Sequence, residues 1–152
     1  SEAGYSLVSS AIRNEMRLIS IVLGTASSKA RIDGSQALLN YGYRFFSTDT
    51  LFRANEEIIN AKTWKAENDS TSIGIADDLT ITLPKGASKR LVYENNLPDI
   101  IEGPIISKQK IGSVSIKLDD EVINTVPLVA LENNPSGGIL KQIQDTIQLW
   151  FE

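Results

Sequence analysis

The 152-residue chain has no cysteine and no histidine. Those two absences exclude disulfides, zinc-finger chemistry and a Ser-His-Asp triad within it. A lack of cysteine is compatible with any compartment. No apolar run approaches the ~20 residues that span a bilayer as a helix, and no signal peptide is visible. Basic charge is also scarce: 15 Lys and Arg against 19 Asp and Glu give a formal net charge of -4, with no long basic run. Phosphate backbones are held by clustered Lys and Arg, so nucleic acid is not an expected partner. No Gly-rich phosphate loop follows a strand, and Ser-x-Asn, Lys-Thr-Gly and Gly-x-Ser-x-Gly are all missing. No metal site and no cofactor is expected.

What is present is a chain 41% apolar, enough for a sizeable core in one domain or two small ones. It opens on two strands that fold back around Arg13, Asn14 and Glu15. The first sets Ser6, Ser9, Ser10 and Ala11 among Tyr5, Leu7, Val8 and Ile12. The second is apolar on both faces, with Met16, Leu18 and Val22 on one and Ile19, Ile21 and Leu23 on the other. A strand of that kind belongs inside a covered sheet. Only a helix over residues 31–46 follows to cover it, through a stripe of Ile32, Leu39, Gly42 and Phe46 widened by Leu38, Tyr41 and Phe45. One helix covers one face, so the chain reads as part of a larger unit.

From Ser47 the periodicity turns from helical to alternating. Short runs over residues 58–64, 73–75, 79–83, 91–93, 111–118 and 122–131 are separated by turn residues, which predicts a small antiparallel sandwich or barrel. Val114, Ile116 and Leu118 alternate with Ser113, Ser115 and Lys117 before the Asp119-Asp120-Glu121 turn, a hairpin signature. Pro127 in the return strand predicts an edge position or a bulge. A break is expected near residues 47–51 and a linker at residues 133–138.

The last stretch, residues 139–152, reads as an amphipathic helix. Ile139, Leu140, Ile143, Ile147, Trp150 and Phe151 fall on one side; Lys141, Gln142, Gln144, Asp145 and Gln148 fall on the other. Two uses fit: packing on its own domain, or lying in a membrane interface with Trp150 and Phe151 deepest. Lys141, Asp145 and Glu152 sum to -1, whereas membrane-surface helices usually carry basic polar faces.

Candidate chemistry is sparse. Ser107 and Lys110 spell Ser-x-x-Lys, but in a polar turn after Pro104 they would not share a helical face. Asp77-Asp78 and Asp119-Asp120 read as solvated turns. Arg31, near a helix start beside the end of the hairpin, could grip a substrate carboxylate with two parallel hydrogen bonds, with a structural ion pair as the plainer role.

Several segments in order carry a resemblance: Ala3-Gly4-Tyr5 with Leu7-Val8, Met16-Arg17-Leu18-Ile19, Leu38-Leu39 and Gly42-Tyr43-Arg44-Phe45-Phe46. It continues through residues 79–86 (Leu-Thr-Ile-Thr-Leu-Pro-Lys-Gly), Ile111-Gly112-Ser113-Val114 and Val126-Pro127-Leu128-Val129, and ends in the terminal helix. The chain resembles the C-terminal portion of class C, low-molecular-mass penicillin-binding proteins, the serine-type D-alanyl-D-alanine carboxypeptidases of bacterial cell-wall metabolism. The resemblance implies an α+β fragment, a β-hairpin plus helix from the end of the penicillin-binding domain (residues 1–46). An all-β antiparallel, sandwich-like domain (47–134) and a linker with a membrane-association helix (135–152) would follow.

In that family Ser-x-x-Lys, Ser-x-Asn and Lys-Thr-Gly carry the chemistry, and all three would lie on an N-terminal part before Ser1. No catalytic residue is therefore assigned here. The implied reaction is removal of the terminal D-Ala from peptidoglycan pentapeptide through a serine acyl-enzyme, the acylation that β-lactams trap. Arg31 matches an arginine beside the family's cleft and is the expected substrate-binding residue. The terminal helix is expected to hold the protein on the outer face of the cytoplasmic membrane, in the periplasm. The alternative is a non-catalytic β module that acts as a spacer or docks proteins.

Overall fold

The opening strands close on two residues in left-handed backbone, Asn14 at φ 48° and Glu15 at φ 63°, so that Arg13 pairs with Met16. Two positive φ values in a two-residue turn match the right-handed twist of the strands it joins. This hairpin, β1 (Tyr5–Arg13) and β2 (Met16–Thr25), belongs to a computed structural model that describes residues 4–149. The described residues form two compact units: one runs through Asp49 and includes Thr80–Lys89, and the other comprises Thr50–Leu79 with the chain from Arg90 onward.

In the first unit, α1 (Ser28–Phe45) lies on one face of the hairpin. It starts three residues before the expected Arg31, because the Ser27 side chain accepts a hydrogen bond from the Ala30 N–H at 3.1 Å and caps the first turn. The packed face keeps part of the expected stripe, with Leu39, Gly42 and Phe46 half-buried, and loses the rest. Ser35 and Tyr43 are buried, while Ile32, Leu38, Tyr41 and Phe45 stay 46–59% exposed. Small residues allow the close approach: Gly34 faces Val22, a Cβ on Gly42 would meet Leu18 Cδ1 at 2.4 Å, and Ser35 bonds Ser9 at 2.6 Å.

The strand parity then sorts the hairpin. Met16 and Ser20 are buried with Leu18 and Val22 beside them, whereas Val8, Ile12, Ile19, Ile21 and Leu23 are 60–70% exposed on the opposite face. Among the described residues β1 pairs with β2 alone.

The helix passes into β3 (Phe46–Phe52) without a turn. Phe46 is already extended, at φ -119° and ψ 156°, and its N–H closes the helix on the Gly42 carbonyl. Sequence reading had placed Phe46 in the helix and no strand before Ile58, since no Gly or Pro marks the change. β3 pairs with β6 (Leu79–Pro84), which brings the Thr48 and Thr82 hydroxyls to 2.7 Å.

The second unit is built on a five-stranded antiparallel sheet. Its strands are β4 (Glu57–Lys62), β5 (Ser70–Gly74), β7 (Leu91–Asn96), β8 (Lys110–Leu118) and β9 (Glu121–Ala130), in the order β4-β5-β9-β8-β7. Asp119 and Asp120, both at positive φ, make the β8–β9 turn. Pro127 sits in a central strand without breaking it, because β5 pairs only with Val129 and Ala130 of β9. The core is Ile73, Val114, Leu128 and Ala130 from the sheet with Ile75 just past β5, closed by Ile101 and Ile105 from the β7–β8 connection.

One glycine fixes how closely β5 is approached. A Cβ at Gly74 would stand 2.3 Å from the Glu56 carbonyl oxygen, a backbone atom that cannot swing aside. Gly74→Ala should lower the urea-unfolding stability of the chain by about 1–3 kcal/mol, as overpacking does. Gly138→Ala, with nothing within 4 Å of its Cβ, should leave it unchanged.

Candidate functional site

The last described element, α2 (Ile139–Leu149), is amphipathic and docks by its polar side. Asp145 is 8% exposed, and its Oδ2 accepts a hydrogen bond from the Lys65 backbone N–H at 2.7 Å. Lys141 pairs with Asp69, and the Gln142 side-chain amide donates to the Gly137 carbonyl at 2.8 Å. Ile139, Leu140, Ile143 and Ile147 are left 78%, 85%, 54% and 57% exposed. At 3.6 residues per turn this row lies opposite Asp145. Trp150 and Phe151 lie outside the described residues.

The dock rests on a strap. Residues 64–69 and 134–137 run side by side, with the Glu67 N–H on Pro135 O at 2.7 Å and the Gly137 N–H on Lys65 O at 2.8 Å. Gly137 is required there, as a Cβ would meet the Ala66 carbonyl oxygen at 2.7 Å. Asn134, 1% exposed, ties the strap to β5: its amide nitrogen lies 3.0 Å from Asn68 O and 2.9 Å from Thr71 Oγ1, and its oxygen accepts the Asn68 N–H. The stretch read from sequence as a linker is thus bonded along its length. A backbone amide aimed at a helical carboxylate leaves no pattern in the sequence, so Lys65, Asp69 and Asn134 were not foreseen as partners of the helix.

Between α2 and the end of β4 lies an open cleft of about 750 Å³, walled by Trp64 and edged by Lys62, Asp69, Lys141 and Gln144. The Lys62 ammonium sits 3.7 Å from the centre of the Trp64 ring. The hydrogen bond to Asp69 raises the Lys141 pKa above its ordinary 10.5; desolvation opposes this, and the charges of Asp69 and Asp145 add to it.

The other sequence-predicted positions stand apart from this site. Arg31 donates from Nη1 to the Ser6 carbonyl at 2.8 Å and from Nη2 to Ser28 Oγ at 3.3 Å, with its guanidinium 5.7 Å from the Tyr5 ring centre. It fastens the start of α1 to β1. Ser107 donates to the Leu131 carbonyl at 3.2 Å, and Lys110 opens β8, so the Ser-x-x-Lys spacing falls on a turn and a strand. Asp78 accepts the Ala54 N–H at 2.7 Å, and Asp119 pairs with Arg90. No group of three or more metal-ligating side chains occurs among the described residues, and no described helix is long and apolar enough to cross a membrane.

Fold and site define a β-rich domain that carries a surface helix with an uncovered apolar row. Residues 46–136 match the family described as penicillin-binding protein 5, C-terminal domain, and the chain belongs to that family. It is 36% identical to the D-alanyl-D-alanine carboxypeptidase DacA of Escherichia coli (strain K12) over 99% of its own length and 38% of the relative's. It is 31% identical to DacC of the same organism over 98% and 38%. Among solved structures, penicillin-binding protein 5 from Haemophilus influenzae superposes with a TM-score of 0.78 at 32% identity, covering 88% of this chain and 40% of that one. The chain therefore spans well under half of the relatives it matches.

The Lys141–Asp69 pair makes the dock sensitive to alkali. A lysine pKa raised by folding contributes stability that is full below 10.5 and lost as pH rises through the folded value. Followed by side-chain NMR, Lys141 should titrate above 10.5 in the native chain and fall back toward it in Asp69→Asn, with α2 signals broadening over the same range.

Proposed function

We propose that the chain is the C-terminal part of a D-alanyl-D-alanine carboxypeptidase, which removes the terminal D-Ala of peptidoglycan pentapeptide through a serine acyl-enzyme. The observation that carries this reading is the 36% identity to a carboxypeptidase along 99% of the chain but only 38% of the relative. In this reading the reactive serine, its lysine and the Lys-Thr-Gly strand belong to the N-terminal part. Its hydroxyl adds to the carbonyl of the penultimate D-Ala, the peptide C–N bond breaks, the terminal D-Ala leaves with a proton, and water hydrolyses the ester. The β1–β2 hairpin with α1 is the end of the penicillin-binding domain, and the exposed row of Val8, Ile12, Ile19, Ile21 and Leu23 is the face the N-terminal part covers.

In this reading Arg31 lies beside the active-site cleft of the whole enzyme. With two of its donors already spent on Ser6 and Ser28, it acts by holding β1 against α1, and any grip on a substrate carboxylate comes from the N–H groups that remain. The terminal helix holds the protein on the outer face of the cytoplasmic membrane, in the periplasm, with Ile139, Leu140, Ile143 and Ile147, and beyond them Trp150 and Phe151, in the lipid. The exposure of that row in a docked helix supports this. A spacer or docking role for the β unit is the second reading, favoured by its possession of a core of its own.

Co-expressed with the N-terminal part of such an enzyme, the chain should co-purify with it, and fluorescent penicillin should label only the N-terminal piece. Labelling of this chain would sink the assignment. In the reconstituted pair, Arg31→Gln should lower acylation about 10-fold or more, and Arg31→Lys should restore little, since a lysine cannot span both partners. Ile143→Asp with Ile147→Asp should cut vesicle binding by at least about 100-fold, from the ~1.5–3 kcal/mol each apolar side chain contributes. Equal binding by that variant would remove the helix from the membrane role.

A further inference from the structure

The two ends of the five-stranded sheet are finished differently. β4, at one end, carries a bulge between Glu57 and Ile59. β7, at the other, runs against β8 in unbroken register from Leu91 to Asn96, and among the described residues it pairs with no other strand. Bulges, proline and lysine are the usual guards of an exposed edge. The run Leu91-Val92-Tyr93-Glu94-Asn95-Asn96 has none of them. Its one charge, Glu94, is paired to Lys117 at 2.5 Å. Every residue after Leu91 is exposed, Val92 at 56% and Tyr93 at 44%. Half of the main-chain N–H and C=O groups of such a strand point away from its one neighbour and call for partners.

The side chains of the edge say what fits it. Tyr93 lies opposite the buried Ile116, so Leu91 and Tyr93 are on the core side; Val92 lies opposite Lys117, so Val92 and Glu94 are on the outer side. Arg90, just before the strand, pairs with Asp119. If a second β7 is laid antiparallel on the first, a two-fold axis runs normal to the sheet through one residue, and opposed residues share a face. With Glu94 on the axis, two carboxylates oppose each other. With Tyr93 on it, Val92 meets a carboxylate. With Val92 on it, Arg90 faces Glu94, Leu91 faces Tyr93 and Val92 faces itself, so charge meets opposite charge and apolar meets apolar. Arg90 then stands between Asp119 of its own chain and the partner's Glu94, which in turn holds a lysine, and the signs alternate along the whole row.

We propose that β7 is an interface between two copies of this chain, an antiparallel β7–β7 pair centred on Val92 that joins their sheets. The inference goes beyond the carboxypeptidase reading and does not depend on it. About five residues from each strand bury far less than the ~1,200 Å² of a stable interface, so the pair is weak in free solution, with a dissociation constant on the order of 100 μM. Copies gathered on one surface would meet at a much higher local concentration.

The test uses the 152-residue chain. In sedimentation equilibrium from about 20 μM to about 1 mM, the mass should rise from 16.6 kDa toward twice that value. Raising the salt to about 0.5 M should weaken association by about 3-fold or more, because the outer row is charged. Val92→Lys sets two ammonium groups face to face on the axis and should weaken it by at least about 10-fold, with an unchanged circular dichroism spectrum. The chain has no cysteine, so a single one reads the register. Opposed residues of an antiparallel pair have Cα atoms about 4.5–5.5 Å apart, within disulfide range. In oxidised glutathione, Val92→Cys should therefore link two chains at least about 10-fold faster than Val122→Cys, whose two positions would lie five strand spacings apart, about 24 Å.

A mass that stays at 16.6 kDa through about 1 mM would overturn the proposal. A dimer that survives Val92→Lys would overturn it too. Ile143→Asp with Ile147→Asp should leave association unchanged; its loss in that variant would move the contact to the helix row and strike the β7 interface. Equal linking at Val92→Cys and Val122→Cys would remove the register. None of these outcomes touches the carboxypeptidase assignment, which stands or falls on penicillin labelling of the N-terminal part.

Discussion

The hydrogen bond from the Lys65 N–H to the buried Asp145 carboxylate decides what the C-terminal helix presents to its surroundings. Amphipathic helices ordinarily bury their apolar side, because that burial is the largest favourable contribution available to them. Here the docking surface is a strap of backbone groups, the 64–69 segment bonded to residues 134–137, and a backbone N–H at its surface calls for an acceptor. Asp145 supplies it with a charged acceptor, the stronger kind. Once that carboxylate faces inward, the period of the helix sends Ile139, Ile143 and Ile147 outward. The exposed row is a consequence of the polar dock.

A comparable constraint governs the other end. A two-stranded hairpin has two faces and α1 covers one of them, at a distance set by Gly34, Gly42 and the Ser9–Ser35 contact. The five large side chains on the second face are placed there by the period of the strand and cannot be withdrawn without turning Met16 and Ser20 outward as well. An uncovered row of that size on a regular strand is a surface made for contact. The two units thus each present an apolar row, one on a hairpin and one on a helix, and in both the opposite side is the one that packs.

How much of this was legible follows from which signals are local. The Asn14-Glu15 turn, the parity of β2 and the β8–β9 hairpin were written in period-2 alternation and turn chemistry, and so was the antiparallel character of residues 57–130. The helical stripe was legible in part: Leu39, Gly42 and Phe46 are half-buried, whereas Ile32, Leu38, Tyr41 and Phe45 stay exposed, because the close approach is set by Gly34, Gly42 and Ser35, whose signal is smallness. β3 escaped because the helix runs into it without a breaker. The grouping of Thr80–Lys89 with the opening residues depends on a long-range β3–β6 ladder, and no short window records such a pairing. Around α2 the apolar row was plain, but the docking side was not, because its partners are main-chain atoms and a buried asparagine amide.

In the membrane role proposed for α2, docking and lipid contact do not compete. Had the helix packed by its apolar row, contact with lipid would require undocking, and every buried isoleucine would oppose it by ~1.5–3 kcal/mol. With the polar side docked, the row is already exposed to water, and transfer into lipid removes that exposure while the Asp145 and Lys141 contacts stay made. The β unit can then stand on its helix as one body with it. A flexible tether would allow the same anchoring but would leave the unit free to tumble. A bonded strap fixes the attitude of the β unit to its helix, and so to any surface that the row meets.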